Sequence, residues 1–220
     1  MNLSAEGLGL PWLVGSLLIW AGLLIWAFKT APWYKVTEDR SAQNVLLGAT
    51  LIVLLVWQFG ASIGMGITFH LLLMTTMTLM FGPQFAFIGM SLALIGVTFE
   101  SDLGYLGLGI NAVLMGVVPI FITWWMARWA FYKLDRNFFV FVFFNAFLSG
   151  AVGVVVSLSL AATVLYAAEV HTAETLKQSF LPFVPLMATP EGFINGMLMT
   201  AFILFKPHWV SSFNDKDYFK

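Results

Sequence analysis

The sequence predicts an all-α, polytopic membrane helical bundle, and three observations carry that expectation. Of the 220 residues, 60% are hydrophobic and only 10% are charged, and the mean hydropathy is +0.90. A soluble domain carries about 25% charged residues, so most of this chain is suited to lipid. The apolar residues also collect into runs of bilayer-spanning length, and the basic residues gather between particular runs.

The first run covers residues 11–28. The stretch before it has no basic n-region and no small-x-small cleavage site, so it reads as an uncleaved first helix rather than a signal peptide. Further runs cover 42–59, 64–81, 84–99, 106–129, 138–166 and 181–205, giving about seven transmembrane helices. Only Gly82-Pro83 joins the third run to the fourth, which signals a tight hairpin. The sixth run is longer than a bilayer needs, so it tilts, projects, or breaks near Gly150 and Gly153. The seventh contains Pro182, Pro185 and Pro190, which leaves its first part open to irregular structure. The whole chain, 1–220, reads as a single integral membrane domain with a polar cytoplasmic tail from about residue 206.

The charges orient the bundle. Lys29, Lys35 and Arg40 separate the first two runs, Arg128, Lys133 and Arg136 separate the fifth and sixth, and Lys206, Lys216 and Lys220 follow the seventh. On the opposite side only Lys177 is basic, among Glu6, Glu100, Asp102, Glu169 and Glu174. By the positive-inside rule the N-terminus is outside and the C-terminus inside. Trp33, Tyr34, Trp124, Trp125, Trp129, Tyr132 and Trp209 fall at the same inner boundary, as an aromatic belt does.

Several chemistries are disfavoured. The chain has no cysteine, which removes disulfides, thiolate metal sites and iron–sulfur ligation. It has no Gly-x-x-x-x-Gly-Lys-Ser/Thr loop, so any ATP-driven work falls to another chain. It shows no serine–histidine–acid set, close carboxylate pair or His-x-x-x-His pattern, so no enzyme activity is expected. A net charge of −1 gives no support for a nucleic-acid partner. No internal repeat of the kind found in many secondary transporters is visible.

The polar residues inside the apolar runs carry the functional reading. In "GMGITFHLLLMTTMTLMFG" (64–82), His70 sits in an otherwise apolar span, and on a helix Met74 and Met77 share its face. An imidazole beside thioethers suits a borderline or soft transition metal. The alternative is a histidine bonded to a neighbouring helix, with the methionines as packing. His171 falls in an outer loop and His208 at the inner end, so neither pairs with His70 for a haem. Asn111, in "GYLGLGINAVLMGVVP", lies near the outer end of its span as a ligand contact or an interhelical hydrogen bond. Its neighbours Gly104, Gly107 and Gly109 allow a bend or a close approach. Glu191, in "LPFVPLMATPEGFINGM", is either a buried carboxylate for a cation or proton or part of a helix start. The helix start is preferred, with Thr189 as N-cap, Pro190 first and 181–188 irregular. Asn145 is expected to bond between helices.

"GITFHLLLMTTMTLMFGPQFAFIGMSLALI" followed by "LGYLGLGINAVLMGVVP" resembles the cobalt/nickel-uptake permease family, the substrate-binding membrane components of energy-coupling-factor ABC transporters. His70, Gly82-Pro83, Asn111 and Met115-Gly116-Val117-Val118 sit on that pattern. A short proteobacterial branch is closer still, through "APW", "NFF" and "PEGFINGMLMT…KPHWVSSFNDKDY". The resemblance implies a metal site built from the N-terminal amine and backbone of Met1 and Asn2, together with His70. The family opens Met-His-Ile-Pro-Asp-Gly, whereas this chain opens Met1-Asn2-Leu3-Ser4, so an imidazole is missing at the second position. Met74 sulfur is a further candidate ligand.

The resemblance further implies a multi-pass protein of the bacterial inner membrane with no permanently bound cofactor. Its substrate would be a divalent transition metal (nickel, cobalt or copper), and its partners a transmembrane coupling subunit and cytoplasmic ATPases. The alternative is a non-transporting membrane scaffold or assembly subunit that keeps the permease fold.

Overall fold

The computed structural model describes residues 2–62, 64–100 and 105–218. Met1, Asp102, Gly104 and Lys220, used above for the site, a loop and the orientation, lie outside them.

The chain opens with a two-residue strand, β1 (Asn2–Leu3), then enters α1 (Leu10–Thr30), with Pro11 in the first turn, where a missing N–H costs nothing. A short turn of helix, α2 (Tyr34–Thr37), leads to α3 (Arg40–Gln58). Asp39 caps α3 by accepting the N–H groups of Ser41 and Ala42 at 2.8 and 3.3 Å. Leu18, Ile19 and Ile25 on α1, and Leu47, Leu51 and Leu55 on α3, are exposed, an apolar outer face suited to lipid.

The third apolar run departs from expectation. It does not form one helix over 64–81. Two strands, β2 (Ala61–Ser62) and β3 (Ile67–Phe69), precede a non-helical turn, and helix begins only at α4 (Met74–Phe81). At eight residues, about 12 Å long, α4 is too short to cross a bilayer. Gly82, at φ 82°, then reverses the chain into α5 (Pro83–Glu100), and the two helices pack as the expected hairpin.

Beyond α5, a 3₁₀ turn (Tyr105–Gly107), α6 (Leu108–Asn111), a π-helical stretch (Ala112–Val117) and α7 (Val118–Lys133) run on as one rod. The widened stretch lies just before Pro119, which has no N–H to close a regular turn. Likewise α8 (Phe138–Val140), a π-helical stretch (Phe141–Leu148) and α9 (Ser149–Ala167) are continuous, so the sixth run does not break at Gly150 or Gly153. A surface helix, α10 (Ala173–Ser179), leads to α11 (Phe183–Phe205).

A 3₁₀ turn (Pro207–Trp209) and α12 (Asp215–Tyr218) form the tail. The tail folds back on the bundle, burying Val210, Phe213 and Tyr218 against Phe141 and the end of α4. Asn145 is buried with its Oδ1 lacking a hydrogen-bond partner among the described residues, and its electrostatic partner is Tyr218 of this tail.

Among the described residues five helical rods are long and apolar enough to cross a membrane: Leu10–Thr30, Arg40–Gln58, Tyr105–Lys133, Phe138–Ala167 and Phe183–Phe205. The core forms around α4 and α5, where Met74, Met77, Ala86, Met90 and Ala93 are buried against Met115. Gly109 lets α6 approach α1 so closely that a Cβ there would lie 2.3 Å from the Leu17 nitrogen.

Candidate functional site

The N-terminal residues join the molecule as a strand. β1 pairs antiparallel with β3, with Asn2 opposite Thr68 and Leu3 opposite Ile67. β2 covers the other edge of β3, giving the order β1-β3-β2. Two residues of strand are too few to hold themselves, and a side chain from α6 completes the anchorage. The Leu3 N–H donates to Asn111 Oδ1 at 2.8 Å, and Asn111 Nδ2 donates to the Leu3 carbonyl at 2.9 Å. Of the two alternatives for Asn111, the geometry is therefore a hydrogen bond, made to the N-terminal strand.

His70 follows β3 directly. It is two residues beyond Thr68, about 7 Å along an extended chain, and the antiparallel register runs the start of β1 towards it. Its ring is buried, lies 5.2 Å from the Trp57 ring, and has Nδ1 3.0 Å from the Leu71 carbonyl. Trp57 in turn donates its indole N–H to the Leu72 carbonyl at 3.3 Å.

The turn from His70 into α4 is held by α11. Leu73 takes the left-handed conformation, φ 61°, which a bulky residue adopts only when its surroundings impose it. Glu191 supplies the constraint: Oε2 accepts the Leu72 N–H and Oε1 the Leu73 N–H, both at 2.7 Å. One turn along α11, Asn195 Oδ1 accepts the Thr76 N–H at 2.8 Å and the Thr76 hydroxyl at 2.7 Å. Asn195 Nδ2 donates back to Glu191 Oε1 at 3.0 Å and to the Glu191 carbonyl at 2.7 Å. These two side chains occupy two of the N–H groups that a helix start leaves unpaired, those of Leu73 and Thr76, where Leu73 itself offers no capping side chain.

The sequence-predicted residues are thereby sorted. Asn2 lies in β1, Asn111 holds β1 through Leu3, and His70 follows β3, the strand paired with β1, while Met1 lies outside the described residues. Met74 begins α4 and is fully buried, but it does not share a helical face with His70, since the residues between them are not helical. The preferred reading of Glu191 as part of a helix start is overturned: α11 begins at Phe183 and runs through Pro190, leaving Glu191 buried in its interior. Trp57 and Asn195 were missed. The signal for Asn195 was its spacing of four from Glu191, which puts both on one helical face. His171 meets the site's periphery, its Nε2 3.0 Å from the Met65 carbonyl, and His208 sits at the far end beside Trp209.

Among the described residues no three His, Cys, Asp or Glu side chains converge as a metal cage. Any metal here would draw on an imidazole, backbone groups and a carboxamide. One feature of the donor set fits such a guest. Asn2 is 3% exposed, and its Oδ1 is buried without a hydrogen-bond partner. A buried carbonyl oxygen in that state costs about 1–3 kcal/mol unless something fills its lone pairs.

The family model described as cobalt uptake substrate-specific transmembrane region matches residues 2–209. Two solved structures share the fold. The first, a truncated transition metal transporter, has a TM-score of 0.74 and 20% identity over 94% of this chain and 100% of that one. The second, a transition metal transporter, has a TM-score of 0.73 and 20% identity over 92% of each chain. No curated protein sequence matches.

Proposed function

The chain belongs to the cobalt uptake substrate-specific transmembrane family, and from that membership we propose that it is the substrate-binding component of an energy-coupling-factor-type importer for cobalt-like or nickel-like ions. As a multi-pass membrane component of metal uptake, it works with other transporter subunits. The partners proposed are a transmembrane coupling subunit and cytoplasmic ATPases, because the chain has no phosphate-binding loop of its own. The location proposed is the inner membrane of a bacterium, with seven crossings and the N-terminus outside. The five long rods and the shorter apolar helix Pro83–Thr98 support six of these crossings, and the seventh is assigned to the whole segment from β3 through α4, of which only α4 is helical.

The metal is captured at the outer face, between the start of β1 and His70. The observation that carries this reading is the anchorage of β1 alongside β3, with the unpartnered Asn2 Oδ1 in the strand next to the one that leads into His70. An imidazole nitrogen, the N-terminal amine and amide nitrogens favour nickel or copper in square-planar geometry, and a carboxamide oxygen in place of a second imidazole shifts the preference among them.

Equilibrium binding of nickel, cobalt and copper to the purified protein with a free N-terminus tests the site. His70→Ala should abolish binding, His171→Ala and His208→Ala should preserve it, and a blocking N-terminal tag should weaken it. Wild-type protein that binds none of the three would leave the retained fold to a non-transporting scaffold.

A further inference from the structure

Resting on the metal-capture reading above, we infer that Glu191 and Asn195 are positioning residues for capture. They impose on residues 70–76 the backbone that presents His70, so α11 governs whether the site is assembled.

Four observations converge on this. The His70 turn has no helix of its own to hold it, because α4 starts at Met74. It contains a left-handed leucine, an unfavourable conformation for a residue with a Cβ that relaxes once its restraints go. Both carboxyl oxygens of Glu191 are committed to that turn, one to the amide of the left-handed Leu73 itself. Asn195 then ties Glu191 and the first turn of α4 into one network, with both side chains almost completely buried. A carboxyl group is a demanding choice for this depth, since it needs all its acceptor sites met in a place water does not reach. A mere helix cap is satisfied by a serine or asparagine on α4 itself. Recruiting a carboxylate from more than a hundred residues away instead makes the conformation of the turn depend on where α11 stands.

The test measures nickel(II) affinity and kinetics on purified protein with a free N-terminus, and hydrogen exchange of the peptide spanning 70–76 without metal. Glu191→Gln offers one acceptor oxygen and sets its NH₂ against a backbone N–H. It should weaken nickel binding about tenfold or more, mainly through slower association. Exchange across 70–76 should rise, while the absorption spectrum of bound nickel at saturation stays that of wild type, because the ligands are unchanged. Thr76→Val removes only the hydroxyl bond to Asn195 and keeps the side-chain volume. It should show the same pattern at about two- to threefold, and serves if the Glu191 variant does not fold.

Wild-type affinity in both variants, or unchanged exchange at 70–76, overturns the inference while leaving metal capture standing. An altered nickel spectrum overturns it too, by making Glu191 a ligand. Wild-type protein that binds no metal removes the capture reading and this inference with it, and the exchange data then report a structural brace alone.

Discussion

Asn111 grips the peptide of Leu3 from both sides, accepting its N–H and donating to its carbonyl, across 108 positions of sequence. The first residues of the chain are thereby part of the folded interior. Asn111→Ala would leave two buried backbone groups without partners, at about 1–3 kcal/mol each. We expect β1 to detach rather than the bundle to unfold, because the helices do not depend on it. Limited aminopeptidase digestion should trim Asn111→Ala readily and wild type slowly, and metal affinity should fall in step.

Gly109 is the second lever on the end of the bundle that holds β1. A methyl group there meets the Ser16 and Leu17 backbone at 2.3–2.6 Å, and backbone cannot turn aside as a side chain can. Gly109→Ala should force α1 from α6 and cost about 1–3 kcal/mol, read as a lower melting temperature in detergent. Gly15→Ala, whose added methyl meets nothing within 4 Å, should be nearly silent.

Orientation is checked with reporter fusions. Periplasmic reporters should be active when placed in 169–177, and cytoplasmic reporters in 133–136 and after the tail. A cytoplasmic N-terminus would reverse the charge argument and put His70 on the wrong face for capture.

Tyr218 gives the tail a pH signature. Burial pushes its hydroxyl above the ordinary tyrosine value, with Arg136 pulling the other way. A detached tail ionises near the ordinary tyrosine value of about 10, and the docked tail holds its proton longer. Docking stability is therefore full below about pH 10 and declines as pH rises toward the folded value. Melting temperature should drop on that alkaline limb in wild type, and the drop should shrink in Tyr218→Phe.

Hydropathy was sufficient to locate the long rods, because lipid demands span-length apolar runs whatever the tertiary contacts. It failed at residues 64–73 for a definite reason. Ile67, Thr68 and Phe69 are β-branched or aromatic, Ile67 and Thr68 pair with Leu3 and Asn2, and that long-range partner leaves no periodicity in the local sequence. Glu191 was misread because Thr189-Pro190-Glu191 spells a helix start so well. Its true partners, Leu72 and Leu73, donate through the backbone, and a backbone N–H has no residue identity to read. His70 and Asn111 could be singled out because a polar side chain in an apolar run has to be explained.

The shortness of α4 has a mechanical corollary. Its N-terminal end hangs from Glu191 and Asn195 of α11, and its C-terminal end is met by the tail that follows α11. There Ser211 N–H donates to the Met80 carbonyl at 3.0 Å, and Ser212 donates to the Leu79 carbonyl through its N–H at 3.2 Å and its hydroxyl at 2.7 Å. Gripped at both ends by one continuous segment, α4 rides as a passenger of that segment. A tilt of α11 would be felt at the same moment by the histidine that precedes one end of α4 and by the serines bonded at the other.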